Sequence, residues 1–151
     1  MKQLPGENKR FKQVDMNWRA ILNKTIENPS ILHRCEEPEL LAAFKEMNET
    51  LDKVQKGLKD YLESKRAIFA RFYFLADGDM LEILSQTKEV ENVRPHLNKV
   101  FENMADLEFK PDKTIVAMFS AEREKIDFSY LVDPKGKGVE YWMGDVEERM
   151  L

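Results

Sequence analysis

The longest regular pattern in the chain is an apolar repeat whose members lie alternately four and three residues apart. Its members are Leu40, Phe44, Met47, Leu51, Val54, Leu58 and Tyr61. This spacing puts them on one stripe of an α-helix, as in the heptads of coiled coils. Pro38 suits the first turn, where its missing N–H costs no hydrogen bond. The pattern therefore predicts a helix over 38–65, roughly 40 Å long at about 1.5 Å per residue.

The apolar stripe of this helix needs a cover, and the chain offers further helices to supply it. Apolar residues at helical spacing predict helices over about 7–27, 79–86 and 93–107, and a last one from residue 139. The members expected to form a core seam are Trp18, Phe44, Leu51, Leu58 and Trp142. The predicted fold is mainly α, an elongated antiparallel helical bundle. In the alternative, the stripe stays open and the protein is a helical adaptor that binds a partner through it.

One stretch of the sequence changes from helical spacing to the alternation of a β-strand. Residues 114–119 are apolar and β-branched, residues 120–123 form a polar break, and residues 125–131 alternate polar with apolar side chains. This pattern predicts one small β-hairpin over about 113–131.

The stretch 69–81 predicts a joint between two helices, because an aromatic cluster is followed by a short polar break. The residues expected to form this joint are Phe72, Phe74, Leu75, Asp77, Gly78 and Leu81. We expect Phe72, Phe74 and Leu81 to be buried around it. Asp77 or Asp79 can cap the second helix with its carboxylate, and Gly78 can adopt a positive φ.

The composition restricts the classes of partner. The 151 residues include 24 Lys and Arg against 28 Asp and Glu, for a net charge of −4. Nucleic acids and anionic membranes attract basic surfaces, so we expect neither as a partner. No apolar run approaches the ~18 residues of a membrane-spanning helix. The single Cys35 cannot form an internal disulfide, which favours a reducing, cytoplasmic setting.

No group of residues has the sequence spacing of a catalytic, metal or nucleotide site. His96 has no carboxylate or cysteine at ligand spacing, so a structural role is expected. The loop 133–138 contains glycines without the GxxxxGK[ST] spacing of a phosphate-binding loop. We therefore expect no catalytic, cofactor-binding or metal-binding residue, and a structural or binding module that is not itself an enzyme.

Several strings in the chain resemble the linker region of dynein heavy chains. They are Arg-Phe-Tyr-Phe-Leu at 71–75, Leu-Glu-Ile-Leu-Ser-Gln-Thr at 81–87, Pro-His-Leu at 95–97 and Phe-Glu at 101–102. The resemblance extends from about Val14 to Met143. Two positions depart from the family pattern: Ala70 replaces a proline, and Arg123 replaces a glycine of the hairpin turn. We therefore expect the long helix to run on toward Phe74, and the arginine at position 123 disfavours a two-residue turn that needs a positive φ.

The resemblance implies a mechanical function. Dynein heavy chains are ATP-driven microtubule motors, and their linker is a lever that bends as the AAA+ ring of the same chain hydrolyses ATP. The chain would then be a single piece of linker, 1–151, within a much larger protein. ATP and Mg would belong to the parent motor, and the partners would be its AAA+ ring and other dynein subunits. The residues Ser-Gln-Thr at 85–87 resemble axonemal heavy chains, which act in a cilium or flagellum, more than cytoplasmic ones.

Overall fold

A computed structural model describes residues 4–85 and 90–150. Its helices are α1 (Pro5–Glu27), α2 (Ile31–Cys35), α3 (Leu40–Ile68), α4 (Asp77–Ser85), α5 (Leu97–Val100) and α6 (Val139–Met150), with 3₁₀ helices at Ala70–Phe74 and Val90–His96. The strands are β1 (Met104–Phe109), β2 (Ile115–Ser120) and β3 (Lys125–Val132). The mainly α class is confirmed. The chain divides into two compact units, with the boundary between Tyr61 and Leu62. Gln86, at the end of a predicted helix, lies outside the described residues.

In the first unit, α1 and α3 pack antiparallel. The Trp18 ring centroid lies 6.1 Å from that of Phe44. At the other end, a Cβ added to Gly57 would lie 2.9 Å from Oε1 of Glu7, so the Glu7 side chain of α1 lies against Gly57 of α3. The buried apolar residues of this unit are Val14, Met47 and Val54.

The predicted core seam is only partly covered in the first unit. Trp18 remains 45% exposed and Leu51 is also exposed, while Phe44 and Leu58 are half-buried. The expectation that Trp18 lies in a closed core was wrong. Two packed helices cover one side of an apolar stripe, and a large ring at its edge stays in contact with solvent.

The second unit packs helices against a three-stranded antiparallel sheet of order β1-β2-β3. Helix α5 packs against β1 and helix α6 against β3. Strands β2 and β3 fall largely within the predicted hairpin range and pair with each other, but β1 adds a strand that was not predicted. The helical bundle predicted from the sequence is therefore not the architecture of this unit. Its largest fully buried side chains include Phe72, Met80, Ile83, Leu97, Phe101, Ile115, Trp142 and Met143.

Strand β1 replaces the second half of a predicted helix. Helical spacing from residue 93 to residue 107 suggested one continuous helix, yet α5 ends at Val100. Met104 and Leu107 are both buried, although strict alternation would put residues three apart on opposite faces. A register shift between Met104 and Asp106 accounts for this spacing. An irregular strand thus reproduced the three-residue spacing of a helix.

The turn between β2 and β3 has a positive φ at Arg123, contrary to the expectation from the missing glycine. Arg123 has φ 66°, and its N–H donates to the carbonyl of Ser120 at 3.0 Å. The N–H of Glu124 donates to the Ser120 hydroxyl at 3.1 Å. Strand pairing on both sides therefore imposes a left-handed conformation that arginine adopts at a cost.

Candidate functional site

The joint between α3 and α4 consists of two breaks around one 3₁₀ helix. Helix α3 ends at Ile68, and Phe69 is extended, with φ −128° and ψ 98°. The 3₁₀ helix follows, then Leu75 is extended with φ −94° and ψ 139°. The expectation that Ala70 lets the long helix run on was therefore wrong. The break brings Phe69 into the core, where its ring packs edge-on against Phe72 with centroids 5.0 Å apart.

The 3₁₀ geometry decides which aromatic side chains are buried. With three residues per turn, residues three apart share a face. Phe69, Phe72 and Leu75 occupy the buried face, whereas Phe74 is 72% exposed. The prediction that Phe74 is buried was wrong for this reason. Leu81 is half-buried.

The polar break predicted at 76–79 lies inside a helix except for Ala76, which directly precedes it. Asp77 and Gly78 belong to the first turn of α4. Within the described residues, the glycine with a positive φ is Gly136, at 69°, so the expectation for Gly78 was wrong. The carboxylate of Asp77 accepts from Arg66 at 2.7 Å.

The guanidinium of Arg66 connects all three segments of the joint. Its Nη2 donates to the Leu75 carbonyl at 3.2 Å and to Oδ1 of Asp77 at 2.7 Å, while Nη1 donates to Oε1 of Glu63 at 2.9 Å. The side chain is 10% exposed. The hydrogen bond to Asp77 is the largest cause that raises the pKa of Arg66 above its usual value. We refer to Arg66 with these three acceptors as the arginine clamp.

Two further ion pairs join this region to α6. Nε of Arg71 donates to Oε1 of Glu147 at 2.6 Å, and the Arg71 guanidinium lies 5.1 Å from the centroid of the Phe101 ring. Nζ of Lys65 donates to Oε1 of Glu140 at 2.5 Å, and Glu140 is buried. Charged hydrogen bonds of this kind are about twice as strong as neutral ones. The end of α3 and the 3₁₀ helix that follows it are thereby held to α6.

Sequence reasoning identified the joint but missed the residue that organises it. Arg66 follows the apolar stripe of α3 by five residues and precedes the aromatic cluster by three. A basic residue so close to a run of aromatics is the signal that could have indicated a buried guanidinium. Of the predicted core seam, Trp142 is buried in the second unit and the other members lie in the first. The joint and seam roles of the named residues stay predictions.

A second cluster has the composition of a metal site. Each of three residues, Asp79, Glu82 and His96, offers one potential ligand atom, and these three atoms lie within 4.8 Å of one another. These residues come from α4 and from the second 3₁₀ helix, which the sequence separates by a polar stretch. Sequence spacing around His96 therefore did not indicate the cluster.

An apolar groove of about 300 Å³ lies between α1 and α3 in the first unit. Its lining includes Phe11, Val14, Trp18, Phe44, Met47 and Leu51. Part of the apolar stripe that an adaptor would use is therefore accessible. Across residues 4–85 and 90–150, no helix combines the length and apolarity needed to cross a membrane.

Comparison with known proteins matches the whole chain to one family. The family model described as "Dynein heavy chain, N-terminal region 2" matches residues 1–151. The chain is 46% identical to Dynein axonemal heavy chain 1 of Mus musculus over 149 residues, which is 99% of the chain and 4% of that relative. It is 42% identical to Dynein axonemal heavy chain 12 of Homo sapiens over 153 residues, which is 100% of the chain and 5% of that relative. The chain thus spans a small part of these relatives. The match over its full length shows that it belongs to the dynein heavy chain family.

Proposed function

We propose that this chain is a segment of the linker of an ATP-driven microtubule motor, and that it couples the nucleotide state of an AAA+ ring to the power stroke. The observation that carries the proposal is the full-length match to the dynein heavy chain family. The axonemal relatives support a place in the cytoskeleton of a cilium or flagellum. The alternative, a stand-alone helical adaptor, is not favoured by these comparisons.

The joint suits a segment that transmits force. A bending lever transmits force through its rigid parts, in which the helices keep their relative geometry under load. The arginine clamp supplies charged hydrogen bonds from α3 to the Leu75 carbonyl and to Asp77 of α4. Buried Phe69 and Phe72 add apolar packing beneath the same turn. The joint is therefore proposed to act as a fixed corner of the lever.

A motility assay on the parent heavy chain tests this proposal. Arg66→Met removes the clamp, and Arg19→Met is the matched control, because Arg19 makes a similar 2.8 Å bond to Asp15 on the exposed side of α1. We expect Arg66→Met to keep most of the ATP turnover and to slow microtubule gliding, while Arg19→Met changes neither. Unchanged gliding in Arg66→Met would contradict a mechanical role for the joint. Equal loss of turnover and gliding would indicate a folding defect.

The proposal also places the nucleotide chemistry outside this chain, in the ring of the parent motor. We expect the isolated chain neither to bind nor to hydrolyse ATP in the presence of Mg²⁺. Equilibrium binding with labelled ATP and a phosphate-release assay check this expectation. An ATPase activity that disappears on a substitution within residues 1–151 would contradict it.

A further inference from the structure

The cluster of Asp79, Glu82 and His96 presents two carboxylates to a buried imidazole. Asp79 and Glu82 are three residues apart on α4, so their side chains lie on the same side of the helix. His96 ends the second 3₁₀ helix and packs beside them. Its Nδ1 lies 3.7 Å from Oδ1 of Asp79, and its Nε2 lies 3.6 Å from Oε2 of Glu82.

The imidazole of His96 is buried without the hydrogen bond that burial usually requires. Its side chain is 7% exposed, and Nδ1 makes no hydrogen bond to any residue in the described ranges 4–85 and 90–150. Leaving such a polar atom unpaired in the interior costs free energy, so buried polar atoms without a partner are rare. The Nδ1 atom faces the carboxylate of Asp79, and a ligand between the two would satisfy both.

Both distances are longer than direct hydrogen bonds, but they start from different nitrogens of the His96 ring, and a single ion can bond only one of these nitrogens. An N–H···O bond spans about 2.7–3.2 Å, which is shorter than either distance between His96 and its carboxylates. Two ligands of a tetrahedral zinc ion, each bonded at about 2.1 Å, are roughly 3.4 Å apart. One ligand atom from each of the three residues lies within 4.8 Å of the others. An ion bonded to the unpaired Nδ1 of His96 would lie next to Oδ1 of Asp79, and the carboxylate of Glu82 would have to turn from Nε2 toward that ion, which its 61% exposure permits.

We propose that Asp79, Glu82 and His96 bind a divalent cation of the zinc class. One imidazole nitrogen and two carboxylate oxygens are ligands that zinc accepts, whereas calcium and magnesium prefer oxygen alone. Three protein ligands leave one tetrahedral position for water. The site is independent of the proposed motor function, since its evidence comes from this cluster alone.

A lysine competes for the same carboxylate. Nζ of Lys99 lies 2.9 Å from Oδ1 of Asp79, and its side chain is about half exposed. An exposed ion pair of this kind is weak, so a divalent cation can displace the ammonium or bind the other carboxylate oxygen. Removing this positive charge should therefore strengthen binding of the metal.

Titration of the chain with zinc sulfate alone, by isothermal titration calorimetry, tests the proposal. The exposed thiol of Cys35 is first removed as Cys35→Ser, because a free cysteine can bind zinc by itself. In this background we expect one zinc ion per chain. His96→Gln and Glu82→Gln should each weaken zinc binding by at least about tenfold. Loss of a residue that only hydrogen-bonds to a metal ligand already lowers metal affinity by about that factor. Lys99→Gln should tighten it severalfold.

Two controls test whether zinc binds at this cluster. His33 is the other histidine of the chain and is exposed, so His33→Gln should leave zinc affinity unchanged. Zinc should also raise the thermal midpoint of the Cys35→Ser protein, and Glu82→Gln should lose this effect. Glu82 is exposed enough that its substitution preserves the fold, so the test stands even where His96→Gln does not fold. Absence of zinc uptake at millimolar zinc, or equal affinity in Glu82→Gln, would overturn the proposal.

Discussion

Replacing Arg66 by methionine removes the arginine clamp while keeping most of the apolar volume of the side chain. The Leu75 carbonyl then loses a charged donor at 3.2 Å. A hydrogen bond to a charged group contributes about 1.5–3 kcal/mol. The two carboxylate partners are 64% and 44% exposed, so each of those pairs adds at most about 1 kcal/mol and is discounted for solvent screening. We expect Arg66→Met to lower the free energy of unfolding by about 2–3 kcal/mol.

Urea unfolding followed by tryptophan fluorescence measures this loss. Trp142 is buried in the second unit and reports on its unfolding, with Trp18 replaced by phenylalanine to leave one emitter. Arg66→Lys should give an intermediate loss, because an ammonium cannot reproduce the fork that reaches both acceptors. Arg19→Met, which breaks an exposed pair, should leave the unfolding midpoint in place. A loss below about 1 kcal/mol in Arg66→Met would refute the clamp.

Three further predictions concern single positions. Phe72→Ala should cost roughly 3–5 kcal/mol in urea unfolding, whereas Phe74→Ala should stay within about 0.5 kcal/mol because its ring is exposed; equal costs would contradict the 3₁₀ face. Arg123→Gly should raise the free energy of unfolding by about 1 kcal/mol by relieving the φ of 66°, and Arg123→Ala should show no such gain. The pKa of Asp112 lies below its ordinary value of 3.8, because the hydroxyl and the N–H of Thr114 donate to its carboxylate. A group whose pKa is lower in the folded than in the unfolded protein stabilises the fold where it is ionised. The free energy of unfolding should therefore exceed that of Asp112→Asn fully above a pH of about 4, and this difference should disappear as the pH falls through the folded pKa of Asp112. A difference that persists in stronger acid would refute this.

The sequence by itself determined the elements whose apolar spacing is long and regular. Helices α1 and α3 begin and end within about three residues of the predicted bounds, and α6 begins at the predicted residue 139. Repeated periodicity is a local property that the chain carries without its neighbours. The strings at 71–75 and 81–87 also indicated the family, which the full-length match confirmed.

Tertiary structure alone decided which residues pack against these elements and where the elements end. The register shift in β1 made a strand look helical, and the break at Phe69 overrode the helical preference of Ala70. The clamp of Arg66 and the approach of Asp79 to His96 join residues 11 and 17 positions apart through a fold that neither segment specifies. Periodicity reports which side of an element is apolar. The partner that covers that side, and the polar atoms that meet there, depend on contacts between distant residues.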